Sequence, residues 1–214
     1  MDFYIETVCD SPYQTMRRRS NPNRQNPRKN LGVHFYNREL LRLASDDSGI
    51  SEELFAKVDE ETKKSLLYRV SRKVYDGTII PPESDNFLSN ENLFNYQAKV
   101  LNELANRESF VVVGRAANFV LRDRPNVIAV YLYASEEICV RHQMDLMNFS
   151  YDEAARSVKK QNKYRRGYCA HHTGQVWEDM RNYALCIDTN ELGYEGTAKL
   201  IENFLMQRME RIPF

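Results

Sequence analysis

The chain has 214 residues, with 30 basic and 30 acidic side chains and an apolar fraction of 42%, so its formal net charge is zero. This length and composition indicate one sizeable globular domain and exclude a disordered or fibrous chain. The charge balance gives no field that favours nucleic acid, and no apolar run reaches membrane-spanning length, so we expect a cytoplasmic protein without nucleic-acid or membrane partners.

The first thirty residues contain a basic segment without an apolar face. It runs from Thr15 to Asn30 as TMRRRSNPNRQNPRKN, and no glycine precedes Gly32. Proline and asparagine oppose helix formation, so this text does not predict a helix. From Leu31 the sequence becomes LGVHFYNRELL, which is typical of a buried approach to a helix. We therefore divide the chain into an anomalous basic segment, 1–30, and a folded domain, 31–214.

Three short apolar runs predict strands at Ser109–Gly114, Val127–Tyr133 and Ala184–Asp188. They are continuous and rich in Val, Ile or Tyr, which is typical of strands covered on both faces of a parallel sheet. Helical patterns separate them, and two of these begin with a serine that predicts an N-cap, at Ser135 and Ser150. Strands that alternate with helices predict an α/β fold with right-handed crossovers.

Gly114 and Arg115 directly follow the first of these runs. Ligands of parallel sheets bind beyond the carboxyl ends of the strands, so this position is a candidate site. A guanidinium beside a glycine, which permits close backbone approach, is suited to bidentate recognition of phosphate. The alternative is a surface arginine in a turn, and position alone does not choose between the two.

The stretch Lys159–Trp177, KKQNKYRRGYCAHHTGQVW, carries five basic residues among aromatic ones. A solvated basic helix face is the simpler interpretation, and a lid that closes over polyphosphate is the more specific one. His171 and His172 are adjacent and therefore point in different directions on a helix. Since no Cys, Asp or Glu lies at ligand spacing, we expect no metal site there.

Four segments together resemble the cytidylate kinase-like family of P-loop nucleoside monophosphate kinases. They are LGVHFYNRELL, FVVVGRAANFVLRDRPNVIAVYLYAS, NKYRRGYCAHHTGQVW and NYALCIDTNELG, and they follow one another from about Leu31. The resemblance implies a three-layer P-loop-kinase-like domain with a small helical lid at about 155–178. It also implies ATP and Mg²⁺ as cofactors and CMP, dCMP or a similar monophosphate as substrate. It leaves the oligomeric state open.

The resemblance further implies roles for single residues. Arg115 corresponds to the arginine that holds the acceptor phosphate, and Asn118 lies near a base-contacting position. Tyr36 and Asn37 correspond to the mouth of the acceptor pocket, and Arg141 to an arginine on the lid side. The cations expected to act in catalysis are Lys163, Arg165 and Arg166.

A glycine-rich loop between the first strand and first helix is also implied, because its backbone N–H groups cradle the donor phosphates. Here Cys9–Asn30 takes that place without a glycine, so the expected first strand, phosphate loop and helix are predicted to be missing. If the reading frame is shifted by one base, the codons of Met16–Arg19 can encode Cys-Gly-Gly-Gly, and those of Asn23–Gln25 can encode Ile-Gly-Lys. We therefore favour an out-of-frame translation of the family's loop.

Other departures and interpretations remain. Asn37 and Asn162 stand where the family usually has aspartates, so a role that needs a carboxylate there is not supported. The chain is expected to be impaired as a kinase, and the alternative is a non-catalytic protein that binds CMP without turning it over. A basic-tailed nucleic-acid binder is disfavoured by the zero net charge and by the lack of a recognition helix.

Overall fold

The computed structural model describes residues 2–7, 34–36, 39–61 and 77–209. Within these ranges five strands form one sheet in the order β2-β3-β1-β4-β5, and every pairing is parallel. The strands are β1 (Asp2–Thr7), β2 (His34–Tyr36), β3 (Phe110–Val113), β4 (Val127–Tyr133) and β5 (Leu185–Asp188). The three predicted strands are thus confirmed.

Seven helices occur in the same ranges. They are α1 (Glu39–Ser48), α2 (Glu52–Glu61), α3 (Asn90–Arg107), α4 (Ala117–Val120), α5 (Glu136–Met147), α6 (Tyr151–Thr173) and α7 (Thr189–Met209). Ser135 caps α5, and Ser150 forms the predicted capping box with Glu153 at the start of α6. None of the described helices is both long enough and apolar enough to cross a membrane.

β1 lies at the centre of the sheet, where Tyr4 pairs with Val112 on one side and with Ala129 on the other. The prediction that residues 1–30 lack the first strand is therefore wrong for residues 2–7. Aromatic and β-branched residues in DFYIET favour a strand. A sheet without β1 would also leave the facing edges of β3 and β4 without hydrogen-bond partners. The basic segment itself, within 8–33, lies outside the described residues.

Helices cover both faces of the sheet. Phe110 and Val112 of β3 face the side on which α1, α2 and α3 pack, and Leu101 is a fully buried member of that cluster. Val111, which points the opposite way, packs in a second cluster with Ile201 and other residues of α7. Two buried clusters on opposite faces give helix, sheet and helix in succession, so the predicted three-layer α/β architecture is confirmed.

All the strands run in one direction, so the chain leaves β1, β3, β4 and β5 at the same edge of the sheet. We call this the carboxyl edge. It carries the turn after Val113, the start of the segment after Thr7, and the start of α7, where Thr189 Oγ1 donates to Tyr133 O at 3.1 Å. Ligand sites of open parallel sheets lie at such an edge.

Candidate functional site

The turn after β3 has an uncommon backbone. Gly114, Arg115 and Ala116 all have left-handed φ values, of 74°, 67° and 51°. Glycine adopts this conformation readily, but for other residues it costs about 1 kcal/mol or more each. Three left-handed residues in succession bring the chain from β3 directly into α4 and place Arg115 at the carboxyl edge. Strain of this kind is concentrated at functional sites in proteins.

Packing from two helices holds this turn in place. Ala116 is 4% exposed and lies in a cluster with Phe94 and Ala98 of α3 and Tyr168 of α6. Its carbonyl oxygen also accepts hydrogen bonds from the backbone N–H groups of Phe119 and Val120, at 2.9 and 3.1 Å. Helix α6, which carries the predicted lid cations, therefore packs with the turn that holds Arg115.

Asn118 is brought close to Arg115 by α4. It lies three residues further along and is 8% exposed, although its side chain is polar. A carboxamide presents both donors and an acceptor, which suits the edge of a nucleobase. Two of the predicted acceptor-site residues thus lie in the short stretch formed by the strained turn and the start of α4.

Tyr36 is not brought to the same place. Its hydroxyl donates to Glu108 Oε1 at 2.6 Å, and its ring meets that of Phe110 edge-on at 5.6 Å. Burial and this hydrogen bond raise the pKa of Tyr36 to about 12. Glu108 precedes β3 whereas Arg115 follows it, so the hydroxyl of Tyr36 is directed away from the carboxyl edge. Asn37 lies outside the described residues.

Arg141 lies on the solvent side of α5. Its Nη2 is 2.5 Å from Glu137 Oε1, one helical turn away, and the two side chains are 70% and 65% exposed. Exposed pairs of this kind contribute little to stability, so Glu137 does not fix the guanidinium strongly. The structure therefore leaves Arg141 on the surface of the helix that packs against α6 through a cluster including Cys139, Val140, Ala154 and Val158.

The predicted lid cations lie on the C-terminal half of α6. Lys163 is exposed. Arg165 Nη1 donates to Asn162 Oδ1 at 3.3 Å, so a predicted lid arginine contacts the asparagine at the position where the resemblance implied an aspartate. Arg166 Nε donates to Glu178 Oε1. All three cations lie within four residues of α6, and two of them are engaged by side chains of the protein itself.

The end of α6 is anchored on α3 by its two histidines. His171 Nε2 lies 3.3 Å from Glu91 Oε1, and His172, 2% exposed, stacks on Phe94 with ring centroids 4.2 Å apart. Burial lowers the pKa of His172 to about 3. The hydrogen bond from His171 lowers the pKa of Glu91 to about 2. Among the described residues no group of three or more His, Cys, Asp or Glu side chains is arranged to hold a metal ion.

Sequence reasoning missed several contacts that shape this site. Glu91 and Phe94 lie three residues apart on α3 and therefore on the same face of that helix. This spacing could have predicted that both contact one neighbouring helix. Nothing in the sequence marked Glu178 as the partner of Arg166, because that contact depends on how the chain turns after α6. The left-handed Ala116 was equally hidden, since alanine is not typical of that conformation.

Comparisons with known proteins agree with the family resemblance and with the fold. The model of the cytidylate kinase-like family matches residues 28–191. An uncharacterized protein from Eubacterium ventriosum superposes with a TM-score of 0.65 at 19% identity, over 96% of this chain and 98% of that one. Shikimate kinase from Bacteroides thetaiotaomicron superposes with a TM-score of 0.50 at 11% identity, again over 96% and 98%. No curated protein matches the sequence.

Proposed function

Because this chain belongs to the cytidylate kinase-like family and has the fold of P-loop kinases, we propose that its carboxyl edge binds CMP, dCMP or a similar pyrimidine nucleoside monophosphate. The observation that carries the proposal is the strained turn Gly114–Ala116, which holds Arg115 at the end of a buried strand. A backbone that is costly to maintain, at the edge where such sheets bind ligands, supports a binding role for the residue it presents.

In this proposal Arg115 recognises the phosphate of the nucleotide. A guanidinium offers parallel N–H donors that match two phosphate oxygens, and it stays charged at every physiological pH. Asn118 would read the base with its carboxamide. The lid cations Lys163, Arg165 and Arg166 would approach from α6 and neutralise the charge of the donor phosphates.

The residues after β1 do not fit the donor side of the reaction. β1 ends between β3 and β4, where a phosphate cradle would have to begin, but no glycine occurs between Val8 and Leu31. A backbone cradle needs residues that accept left-handed φ values and let the chain approach the phosphates closely. The residues after β1 therefore do not suit the phosphates of MgATP, and we propose that this chain is impaired as a kinase.

The same observation favours a second candidate, a non-catalytic nucleotide-binding protein. Such a protein would keep the acceptor site around Arg115 and bind CMP without converting it. The two candidates share the acceptor site and differ only in what precedes Leu31. Sequencing the gene across the codons for the first thirty-one residues distinguishes them, because a single missing or added base that restores glycines would make the protein an ordinary kinase.

Isothermal titration calorimetry of the full chain with CMP, UMP and AMP tests the shared acceptor site. We expect CMP to bind most tightly, and Arg115→Ala to weaken binding about tenfold to a hundredfold, as for the loss of a charge-assisted hydrogen-bonded pair. Arg122→Ala is the matched control. Its guanidinium lies 4.0 Å from the Phe119 ring centroid, on the same stretch of chain, and donates to Phe119 O.

The calorimetry has a clear negative outcome. If the unaltered chain binds none of the three monophosphates, the assignment of the carboxyl edge as an acceptor site is wrong. If Arg122→Ala weakens CMP binding as much as Arg115→Ala does, the effect comes from general loss of positive charge and Arg115 has no special role.

A further inference from the structure

Two consecutive residues of the turn after α6 contact the two consecutive arginines of the lid. The guanidinium carbon of Arg165 lies 5.8 Å from the centroid of the Trp177 ring, and Arg166 Nε donates to Glu178 Oε1. Successive side chains leave a helix about 100° apart, so a single neighbouring element rarely engages both. Here the chain folds back along α6, and the turn engages both arginines through Trp177 and Glu178.

The turn that makes these contacts is fixed to the sheet. Trp177 is 3% exposed, and its ring meets that of Tyr131 in β4 edge-on at 5.7 Å. Its carbonyl oxygen accepts a hydrogen bond from the hydroxyl of Tyr183 at 2.7 Å. Gly174, with a φ of 71°, ends α6 in the left-handed conformation and starts the reversal. Trp177 and Glu178 are therefore held near the end of β4 by the sheet as well as by α6.

We infer that Trp177 and Glu178 are positioning residues that hold the lid arginines near the carboxyl edge until a polyphosphate group takes them over. This inference rests on the proposed function, because it concerns the cations that would meet the donor phosphates. It adds two residues to which the resemblance gave no role, and it gives each a separate task.

The two contacts differ in chemistry. The side chains of Arg166 and Glu178 are 57% and 34% exposed, so their ion pair is weakened by water and easily exchanged. A polyphosphate presents several anionic oxygens and competes well with a single carboxylate for a guanidinium. The guanidinium of Arg165 lies over the ring of Trp177, and an aromatic ring attracts a cation without offering a hydrogen-bond acceptor that competes with phosphate for the N–H donors.

Trp177 also provides the measurement, because it is the only tryptophan of the chain. Titration of the full chain with sodium tripolyphosphate, followed by tryptophan emission, reports on the contact with Arg165. We expect a saturable change in emission, which Arg165→Ala should abolish. Glu178→Gln should tighten tripolyphosphate binding by up to about fivefold, since it removes a competitor whose pairing is that weak.

Glu103→Gln is the matched control for Glu178→Gln. It makes the same change in charge at a carboxylate that also pairs with basic side chains, Lys99 at 3.8 Å and Arg107 at 3.7 Å, but on α3. We expect it to leave tripolyphosphate binding unchanged. If Glu178→Gln and Glu103→Gln change the affinity equally, the effect is one of net charge and the inference is overturned.

A double variant separates positioning from folding. If Glu178 acts through Arg166, adding Glu178→Gln to Arg166→Gln should cause no further change in affinity. A further tightening would overturn the inference, as would the absence of any emission change in the unaltered chain. Thermal unfolding of each variant shows whether it is folded. CMP calorimetry is independent of this result, so CMP binding without a tripolyphosphate response would contradict this inference alone.

Discussion

Two stretches of chain leave the carboxyl edge of the sheet as neighbours, one after β3 and one after β1, and they differ in what their sequences provide. The turn after β3 has a glycine, a strained arginine and a buried alanine that α3 and α6 hold in place. The stretch after β1 has no glycine before Gly32. Under the proposed function, the acceptor side therefore keeps its structural support, whereas the donor side lacks the glycines that a phosphate cradle needs.

Restoring glycines to the stretch after β1 should have the largest effect on kinase activity. We expect the chain as written to show no ATP-dependent phosphorylation of CMP. Replacement of Cys9–Asn30 by the glycine-containing sequence of the shifted reading frame should produce activity in the range of ordinary kinases, about 1–100 turnovers per second. A coupled assay for ADP measures this. The matched control carries the same replacement with its glycines changed to alanine, which should remain inactive.

A chain with the restored glycines that binds ATP but phosphorylates none of CMP, dCMP and UMP would contradict the other half of the proposal. It would mean that the turn after β3 is not an acceptor site, although its backbone is strained. Activity in the chain as written would contradict the proposed impairment directly.

The packing that holds the turn after β3 should weaken in acid. His172 stacks on Phe94, which packs against Ala116, and its folded-state pKa of about 3 lies below the ordinary value of 6.5. Between these values the unfolded chain binds more protons, so stability falls as pH falls, by up to about 1.4 kcal/mol per unit. Glu91, with a folded pKa of about 2, adds its own loss only below about 4.5.

Urea unfolding between pH 6.5 and 4.5 isolates the contribution of His172. His172→Phe keeps an aromatic ring in the stack and removes the titrating group, so its stability should depend less on pH in this window. His142→Phe is the control, because His142 pairs with the hydroxyl of Tyr194 at an exposed position. Equal pH dependence in all three proteins would show that His172 is not the group responsible.

The smallest expected effect concerns Gly114. Its φ of 74° is left-handed and a Cβ would meet nothing within 4 Å, so Gly114→Ala should cost only the backbone strain, about 1–2 kcal/mol. Gly49, with a φ of 72° and equally open surroundings, is the matched control after α1. Both variants should lower the melting temperature similarly, and only Gly114→Ala should weaken CMP binding in calorimetry.

If both glycine variants leave CMP binding unchanged, the conformation of the turn does not matter for ligand recognition. That result would separate the strain of Arg115 and Ala116 from function, and it would leave the guanidinium of Arg115 as the only contribution of the turn.

The strands and helix starts that depend on local residue patterns could be predicted from the sequence. Continuous apolar runs predicted β3, β4 and β5, and serine caps predicted the starts of α5 and α6. β1 was missed because a strand of six residues followed by a segment that opposes helix formation carries a weak local signal. Its formation is required by long-range pairing, since β1 fills the gap between β3 and β4 and satisfies their backbone hydrogen bonds.

The candidate site was less accessible to sequence reasoning. Arg115 was singled out because it directly follows a predicted strand, whereas Asn118 came only from the family resemblance, and the binding roles of both stay predictions. The direction of the Tyr36 hydroxyl was not predictable, since it depends on Glu108 reaching it from the end of α3. The engagement of Arg166 by Glu178 depends on the fold of a turn, which no residue pattern records.

The central position of β1 also has a consequence for the order in which the chain can fold. Tyr4 leaves the ribosome early, but its partner Val112 follows more than a hundred residues later, and Ala129 later still. At about 5–20 residues per second, the first strand waits for several seconds or longer before either neighbour exists. Pairing over such separations is slow, so the sheet can close only after most of the chain has been made.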